Sequence, residues 1–146
     1  ELGAAFGLTQ LQKLDQNIKT RQRNYQKQCN YFERYKEFFQ VPKETAGSDT
    51  AWLAFPILIK ENAPFTRRDF QIYLEKNNIQ TRVVFTGNIL KQPMMQDVNY
   101  IKSKKGYKNS NYVMKYGVLL PVHHGLTDEM FSKFYETIDK FITENT

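Results

Sequence analysis

Residues 52–70 read WLAFPILIKENAPFTRRDF, a short apolar run followed at once by a helix start, and this pair of elements indicates the fold class. The run 52–59 predicts a strand that is apolar on both faces. Pro56 lies inside this run and cannot donate a hydrogen bond to a neighbouring strand. We therefore expect an edge position or a β-bulge at that residue.

The helix start lies in Phe65-Thr66-Arg67-Arg68-Asp69-Phe70. Thr66 can cap the first turn, Asp69 stands at the N3 position of a variant capping box, and the two phenylalanines can pack together as a hydrophobic staple. The helix is predicted to run to about Lys76, because the Asn pair at 77–78 tolerates the turn that ends a helix. A strand followed by such a helix is typical of mixed α and β folds.

An apolar stripe runs through the N-terminal part of the chain. Its members recur at steps of three, four or seven residues, the spacing of one helical face, and they are Leu8, Leu11, Leu14, Ile18, Tyr25, Cys29, Phe32 and Phe39. The pattern predicts one long helix over residues 8–39, with room for a bend along its length, ended by Pro42 and a loop over 44–49. A stripe of this length must either cross the whole domain or pack on a further domain outside this chain.

The second half of the chain alternates short strands with helices. Residues 79–85 predict a second strand, which ends in Thr86-Gly87-Asn88, and residues 94–109 predict an irregular excursion. The remaining predicted elements are a short helix from a Ser110 cap to about Tyr116, a third strand over 117–121, and a last helix from Thr127 with the staple pair Leu126 and Phe131. Together they predict an α/β fold of the α+β kind, with a short, mostly antiparallel sheet, helices on one of its faces and a long N-terminal helix.

Composition bounds the class of protein. With 146 residues, 40% of them hydrophobic, the chain can bury one core and is expected to form one domain. The formal charge of +6 would be compatible with nucleic-acid binding, but the basic residues are scattered, and solvated faces with one basic loop account for them.

The chain has no long apolar run and its first residues do not form a signal peptide, so we expect no membrane insertion and a cytoplasmic location. Cys29 is the only cysteine, which excludes an internal disulfide framework.

Residues that could carry chemistry are few. The motifs of phosphate loops, dinucleotide-binding loops, serine hydrolases and zinc proteases are absent. His123 and His124 are adjacent, so on an extended segment they point to opposite faces and do not converge on a metal, although one of them could line a cleft. The segment 81–88 combines an Arg, a Gly and an Asn, groups that grip sugar hydroxyls and phosphate oxygens. On composition alone, a surface hairpin without a ligand remains the simpler interpretation.

Several stretches resemble one known family. Ala4-Ala5-Phe6-Gly7-Leu8, with Gln10-Leu11 and Lys13-Leu14-Asp15, resembles the Q-A-A-x-G-L-x-Q-L-x-K-L-D stretch that opens the C-terminal part of DegT/StrS-type sugar aminotransferases, with Gly3 in place of the first Gln. Residues 63–67 and 79–93 resemble the E-x-A-P-F-T-R and G-I-x-T-R-x-x-F-x-G-N-L-x-R-Q-P patterns of the CDP-4-keto-6-deoxyglucose 3-dehydratase branch, and residues 125–129 match the closing G-L-T-x-E. The resemblance covers essentially the whole chain.

The resemblance implies that residues 1–146 are the C-terminal small domain of a fold-type-I enzyme that uses pyridoxal phosphate or pyridoxamine phosphate. The coenzyme-binding Lys, or the His that replaces it in the dehydratases, would lie in a large domain upstream of Glu1. The resemblance therefore assigns no catalytic residue to this chain, which is expected to be inactive alone. The substrate-binding residues carried over are Arg82 and Asn88 as hydrogen-bond donors, Phe85 as an apolar wall, Thr86, and Gly87 as the point of close backbone approach.

The resemblance also implies an activity and partners. We expect a C3-dehydratase that acts on a nucleotide-linked 4-keto-6-deoxyhexose in lipopolysaccharide or O-antigen precursor synthesis, forms a homodimer, and receives electrons from an iron–sulfur flavin reductase. A nucleotide-sugar 4-keto aminotransferase is the nearest alternative, because Asn78 replaces the family's Gly and Asn111-Tyr112 stand where the dehydratases often carry Asp-Arg. An alternative of another class is a non-catalytic basic module that docks on an acidic partner or nucleic acid.

Overall fold

The computed structural model describes all of residues 1–146. Its helices and strands, in chain order, are α1 (Leu2–Leu11), α2 (Leu14–Phe32), β1 (Phe39–Gln40), β2 (Phe55–Ile59), α3 (Arg67–Lys76), β3 (Arg82–Val83), α4 (Lys108–Tyr116), β4 (Gly117–Leu120) and α5 (Asp128–Asn145). Three single 3₁₀ turns lie at Glu33–Tyr35, Ile89–Lys91 and Pro93–Met95. The chain contains both helices and strands, as predicted, with one strand more than the sequence indicated.

The four strands form one antiparallel sheet in the order β1-β2-β4-β3. Strand β2 pairs with β4 from Phe55 to Leu58, but it pairs with β1 only at Leu58 and Ile59. Beside Pro56 the strand therefore has a neighbour on one side only, which is the position that a proline tolerates in a sheet. Strand β2 is an inner strand, so Pro56 is accommodated where the short β1 leaves one side of β2 unpaired, and not on an edge strand.

One face of the sheet carries the core. Alternate residues of β2 are buried, and the pairing places Phe55, Ile57 and Ile59 on the same face as buried residues of β1 and β4. Helices α2, α3 and α5 cover this face with aromatic rings. The ring centroid of Phe32 lies 5.6 Å from that of Phe55, and the ring centroid of Phe70 lies 5.3 Å from those of Phe39 and Phe141. The predicted arrangement of an antiparallel sheet with helices on one face is confirmed.

The predicted single helix over 8–39 is wrong at both ends and in the middle. The first helix begins at Leu2, and the α-helical ladder is interrupted at residues 12–13, where the N–H of Lys13 donates to the carbonyl of Gln10 three residues back (3.0 Å). Helix α2 then ends at Phe32. Phe39 belongs to β1, where it pairs with Ile59, so its seven-residue spacing from Phe32 reflects two elements that share one core.

The predicted strands are longer than the observed ones. Residues 52–54 of the predicted strand lie outside β2. The ring of Trp52 stacks instead on the ring of Tyr25, with centroids 4.1 Å apart. Strand β3 keeps only two residues of the predicted 79–85, and they pair with Leu119 and Val118 although β4 extends from Gly117 to Leu120. Sequence periodicity shows which residues are apolar, but it does not show where a chain leaves the neighbouring strand.

The predicted Ser110 cap of the short helix is also wrong. Helix α4 begins at Lys108, about one turn before the start that a Ser110 cap would give. The N–H of Asn111 already donates to the carbonyl of Tyr107 at 3.0 Å. Ser110 therefore lies inside the helix. The predicted end at Tyr116 is confirmed.

The predicted helix starts at Thr66 and Thr127 are confirmed. The Thr66 hydroxyl accepts from the N–H of Asp69 at 3.2 Å, and the Asp69 carboxylate accepts from the N–H of Thr66 at 3.1 Å, which completes the capping box. The rings of Phe65 and Phe70 lie 6.4 Å apart across this turn. At α5, the Thr127 hydroxyl accepts from the N–H of Met130 at 3.3 Å.

Helix α3 ends in a Schellman motif built on an asparagine. Asn78 adopts a left-handed conformation (φ +62°), the N–H of Ile79 donates to the carbonyl of Leu74, and the N–H of Asn78 donates to the carbonyl of Glu75, both at 3.0 Å. Asn is the residue other than Gly that adopts this conformation at low cost. Asn78 thus fills the position where the resembling pattern has Gly without changing the turn.

We expect Asn78→Ala to lower the free energy of unfolding by about 1 kcal/mol relative to Asn78→Gly, because only the Ala side chain opposes a left-handed backbone. Urea unfolding followed by circular dichroism measures the difference. Asn62→Ala, at an exposed turn residue with ordinary φ, is the control and should leave stability unchanged. Equal stability of the Ala and Gly variants at position 78 would contradict the assigned motif.

Candidate functional site

The segment predicted to bind substrate leaves β3 and turns into the next 3₁₀ turn. Arg82, Phe85 and Thr86 are exposed, and the exposed fraction of Phe85 is 76%. Gly87 is half-buried, and Asn88 has an exposed fraction of only 5%. The five residues therefore divide into three that face solvent and two that face the protein.

Asn88 uses both ends of its side-chain amide inside the protein. Its Oδ1 accepts from the N–H of Leu90 at 3.1 Å, which caps the following 3₁₀ turn, and its Nδ2 donates to Oδ1 of Asn111 at 2.8 Å. The partner Asn111 lies in α4, 23 residues further along the chain. The side-chain amide of Asn88 therefore has a structural role, because a buried amide must be hydrogen-bonded.

Gly87 permits a close backbone approach, and the element that approaches is α4. The residue has a φ of +67°, and a Cβ at this position would lie 2.5 Å from Cβ and 2.9 Å from Cα of Met114. Thr86 contributes its carbonyl, which accepts from Nε2 of Gln92 at 3.2 Å. The turn therefore packs against α4 through Gly87, and a hydrogen bond from Gln92 to Thr86 joins its two ends.

Arg82 lies where two surface cavities meet. One, of about 520 Å³, is mostly apolar and lies at the end of β4, with Ile79, Leu119, His123 and Met130 among its lining residues. The other is a shallow basic groove of about 780 Å³, lined by Arg67, Arg68, Lys76 and Arg82 among others. Glu75 also lines this groove, but the four cations outnumber its carboxylate and form no ion pair with any acidic residue, so the groove is electropositive.

Of the two histidines, His123 lines the apolar cavity. Burial lowers the pKa of His123, with smaller contributions from His124 and Arg21, so the ring is neutral at pH 7. Its Nδ1 accepts from the N–H of Gly125 at 3.2 Å. No group of three or more His, Cys, Asp or Glu side chains is placed to hold a metal ion.

Helix α1 presents apolar residues on every side, which the sequence stripe beginning at Leu8 did not indicate. Eight of its ten residues are Leu, Ala, Gly or Phe, and they surround the helix on all sides. A helix that is apolar all round is normally buried, yet every residue of α1 is exposed, with Leu2 at 90% and Phe6 at 68%. None of the five helices is at once long enough and apolar enough to cross a lipid bilayer.

Sequence reasoning also missed the part that α4 plays at this site. The contacts of Asn111 and Met114 with the turn join residues more than twenty positions apart. A signal was present in the sequence, because residue 111 is a position where the chain departs from the resembling pattern. Asn111 still supplies the side-chain oxygen that an aspartate would supply, so this departure leaves the acceptor in place.

The structure thus combines a small antiparallel sheet with helices on one face, an uncovered apolar helix at the N-terminal end, and an exposed loop beside a basic groove. The model of the DegT/DnrJ/EryC1/StrS aminotransferase family matches residues 1–139. The chain belongs to this family.

Individual relatives agree with that assignment. The dTDP-4-dehydro-2,6-dideoxy-D-glucose 3-dehydratase of Saccharopolyspora spinosa is 32% identical over 146 residues, which are 100% of this chain and 31% of that protein. The lipopolysaccharide biosynthesis protein RfbH of Salmonella typhimurium is 30% identical over 140 residues, which are 93% of this chain and 32% of that protein. The chain spans about a third of the length of these curated relatives.

A solved structure agrees as well. The crystal structure of GDP-4-keto-6-deoxymannose-3-dehydratase with a trapped PLP-glutamate geminal diamine is similar with a TM-score of 0.74 and 26% identity, over 91% of this chain and 34% of that one. The family and the fold that the sequence predicted are therefore confirmed.

We expect Gly87→Ala to destabilise the protein far more than Gly47→Ala. Both glycines have positive φ, so each substitution costs about 1 kcal/mol of backbone strain, but only at Gly87 does the new Cβ meet another element, since nothing lies within 4 Å of a Cβ at Gly47. The clash with Met114 adds about 1–3 kcal/mol. Urea unfolding of the two variants measures the difference, and equal losses would show that the turn does not pack on α4.

Proposed function

We propose that this chain is the C-terminal small domain of an enzyme that removes the 3-hydroxyl group of a nucleotide-linked 4-keto-deoxysugar with pyridoxal phosphate or pyridoxamine phosphate as coenzyme. The observation that carries the proposal is the 32% identity to a named 3-dehydratase over the full length of this chain. The other relative described is named for lipopolysaccharide biosynthesis, and we extend the proposal to sugar precursors of that polymer.

The exposed α1 helix supports a large domain that this chain does not contain. Ten residues are too few for a helix to be stable in water on its own, and Gly3 and Gly7 each weaken it by about 1 kcal/mol relative to Ala. Burying its leucines and Phe6 against another domain would supply about 1.5–3 kcal/mol for each large side chain. The large coenzyme-binding domain is the partner that we propose for this helix.

The chain does not fit the coenzyme as its anchor. No lysine is buried, and no glycine-rich loop precedes a helix to hold a phosphate group. We therefore assign anchoring to the large domain, where the coenzyme supplies the electron sink for loss of the 3-hydroxyl group. This domain would contribute a wall of the site, and its residues act on the sugar nucleotide.

The roles of the five proposed substrate-binding residues follow from their exposure. Arg82 is an unpaired cation at the electropositive groove, which suits a diphosphate. Phe85 and Thr86 present an apolar ring and a hydroxyl group to solvent, which suits a sugar. Gly87 and Asn88 shape the turn that carries them, and Asn88 retains one N–H for a ligand.

The rest of the proposal follows from the family resemblance of the sequence. The enzyme would be a cytoplasmic homodimer that accepts electrons from an iron–sulfur flavin reductase after the hydroxyl group has left. A 4-keto-sugar aminotransferase is the second candidate, because the family model carries the aminotransferase name. The two candidates differ in the coenzyme position of the large domain, where Lys favours transamination and His favours dehydration.

We expect the double variant Phe6→Gln with Leu8→Gln to destabilise the full-length enzyme but not this chain alone. In this chain alone both side chains are exposed, so stability should be unchanged while binding of the dye anilinonaphthalene sulfonate falls. In the full-length enzyme the variant should lower the free energy of unfolding by about 3–6 kcal/mol, because two buried contacts are lost. Lys19→Gln, on an exposed part of α2, is the control. If the double variant left the free energy of unfolding of the full-length enzyme unchanged, α1 would be excluded as the contact with the large domain.

We expect Arg82→Ala and Phe85→Ala in the full-length enzyme to raise the KM for the sugar nucleotide about tenfold, which corresponds to about 1.4 kcal/mol of lost binding, with coenzyme absorbance unchanged. Asn88→Ala should also weaken binding. Arg23→Ala, at an exposed cation on α2, should change nothing. Unchanged KM in all three variants would remove the site assignment, and a product aminated at C4 would replace the dehydratase by the aminotransferase.

A further inference from the structure

Two residues of helix α4 contact two successive residues of the turn, Gly87 and Asn88. Oδ1 of Asn111 accepts from Nδ2 of Asn88 at 2.8 Å. Met114 packs against Gly87 so closely that a Cβ would lie 2.5 Å from its own Cβ. Residues three apart share one face of a helix, so Asn111 and Met114 present a single face of α4 to the turn.

The helix is itself fixed to the rest of the domain. Nη1 of Arg67, in the first turn of α3, donates to the carbonyl of Met114 at 2.7 Å. At the end of α4, Gly117 lies against Val84, and a Cβ on this glycine would be 2.8 Å from Cγ2 of Val84. The chain is therefore held against α4 both before and within the exposed segment.

The neighbouring side chain on α4 has different surroundings. The ring of Tyr112 lies 4.7 Å from that of Tyr116, and burial raises the pKa of Tyr112, with Glu61 as the charged neighbour that contributes next. Asn111, and not Tyr112, is thus the polar residue of α4 that contacts the turn.

We propose that Asn111 is a positioning residue for substrate binding, and that it acts through Asn88. By accepting from the Asn88 amide, it fixes the turn from which Phe85 and Thr86 extend, and Arg67 fixes α4 in its place. The effect on substrate rests on the function proposed above, whereas the effect on the turn does not.

The acceptor oxygen is the group that matters. An aspartate at position 111 keeps that oxygen at the same place, but an alanine leaves the Asn88 amide without its partner. The N–H groups of Leu90, Lys91 and Gln92 donate to Oδ1 of Asn88, the carbonyl of Asn88 and the carbonyl of Ile89. Their hydrogen exchange therefore reports on the order of the turn.

The first experiment measures amide hydrogen exchange by NMR on this chain with Asn111→Ala, Asn111→Asp and Asn109→Ala. We expect the Ala variant at 111 to exchange at least tenfold faster at Leu90, Lys91 and Gln92, with core amides unchanged. The Asp variant should match the wild type, as should Asn109→Ala, which removes an exposed Asn of the same helix. Unchanged exchange in Asn111→Ala, or equal acceleration throughout the domain, would overturn the proposal.

A second variant guards against misfolding. Arg67→Met removes the donor that holds the Met114 carbonyl, and it should accelerate exchange at the same three amides by severalfold. No local effect in this variant would overturn the part assigned to Arg67.

The second experiment measures steady-state kinetics of the full-length enzyme with a nucleotide-linked 4-keto-deoxysugar. We expect Asn111→Ala to raise KM about tenfold with a smaller change in kcat, and Asn111→Asp to restore wild-type values. Turnover that is unaffected by Asn111→Ala would overturn the positioning role. Absence of turnover in the wild type, with exchange as expected, would count against the proposed function and leave the contact between α4 and the turn established.

Discussion

Aromatic packing on one face of a small sheet holds this domain together. Rings from β1, β2, α2, α3 and α5, and from the residue before the cap of α3, meet there with centroid separations of 4.8 to 6.4 Å. They belong to Phe32, Phe39, Phe55, Phe65, Phe70 and Phe141. The strands are two to five residues long, so their ladders are short. Each fully buried Phe contributes about 1.5–3 kcal/mol, and side-chain packing therefore sets the positions of the strands and, through them, of the exposed turn.

The elements that could be predicted from the sequence are those with local causes. The start of α3 depends on Thr66, Asp69 and two phenylalanines within six residues, and the structure has all of these contacts. The start of α5 at Thr127 has the same kind of cause. By contrast, the sequence did not predict the break between α1 and α2 or the two-residue length of β3. Both depend on contacts with other segments of the chain, and the spacing of apolar residues carries no information about those contacts.

The candidate site shows the same division. The segment 81–88 could be singled out from its residue types and from a family resemblance, and the exposure of Phe85 and Thr86 agrees with that choice. The burial of Asn88 could not be foreseen, because its partner Asn111 comes from a helix that follows a long irregular segment. A motif thus identifies a loop, while its division into exposed and supporting residues depends on contacts between distant segments.

Trp52 gives the domain a built-in optical reporter. It is the only tryptophan of the chain, its ring lies nearly parallel to that of Tyr25 (3° between planes), and its carbonyl accepts from Nη1 of Arg21 at 3.1 Å. Both partners belong to α2, so the emission of this single chromophore depends on whether that helix is docked. The assembly of the domain can therefore be followed by intrinsic fluorescence, without a label and without a substrate.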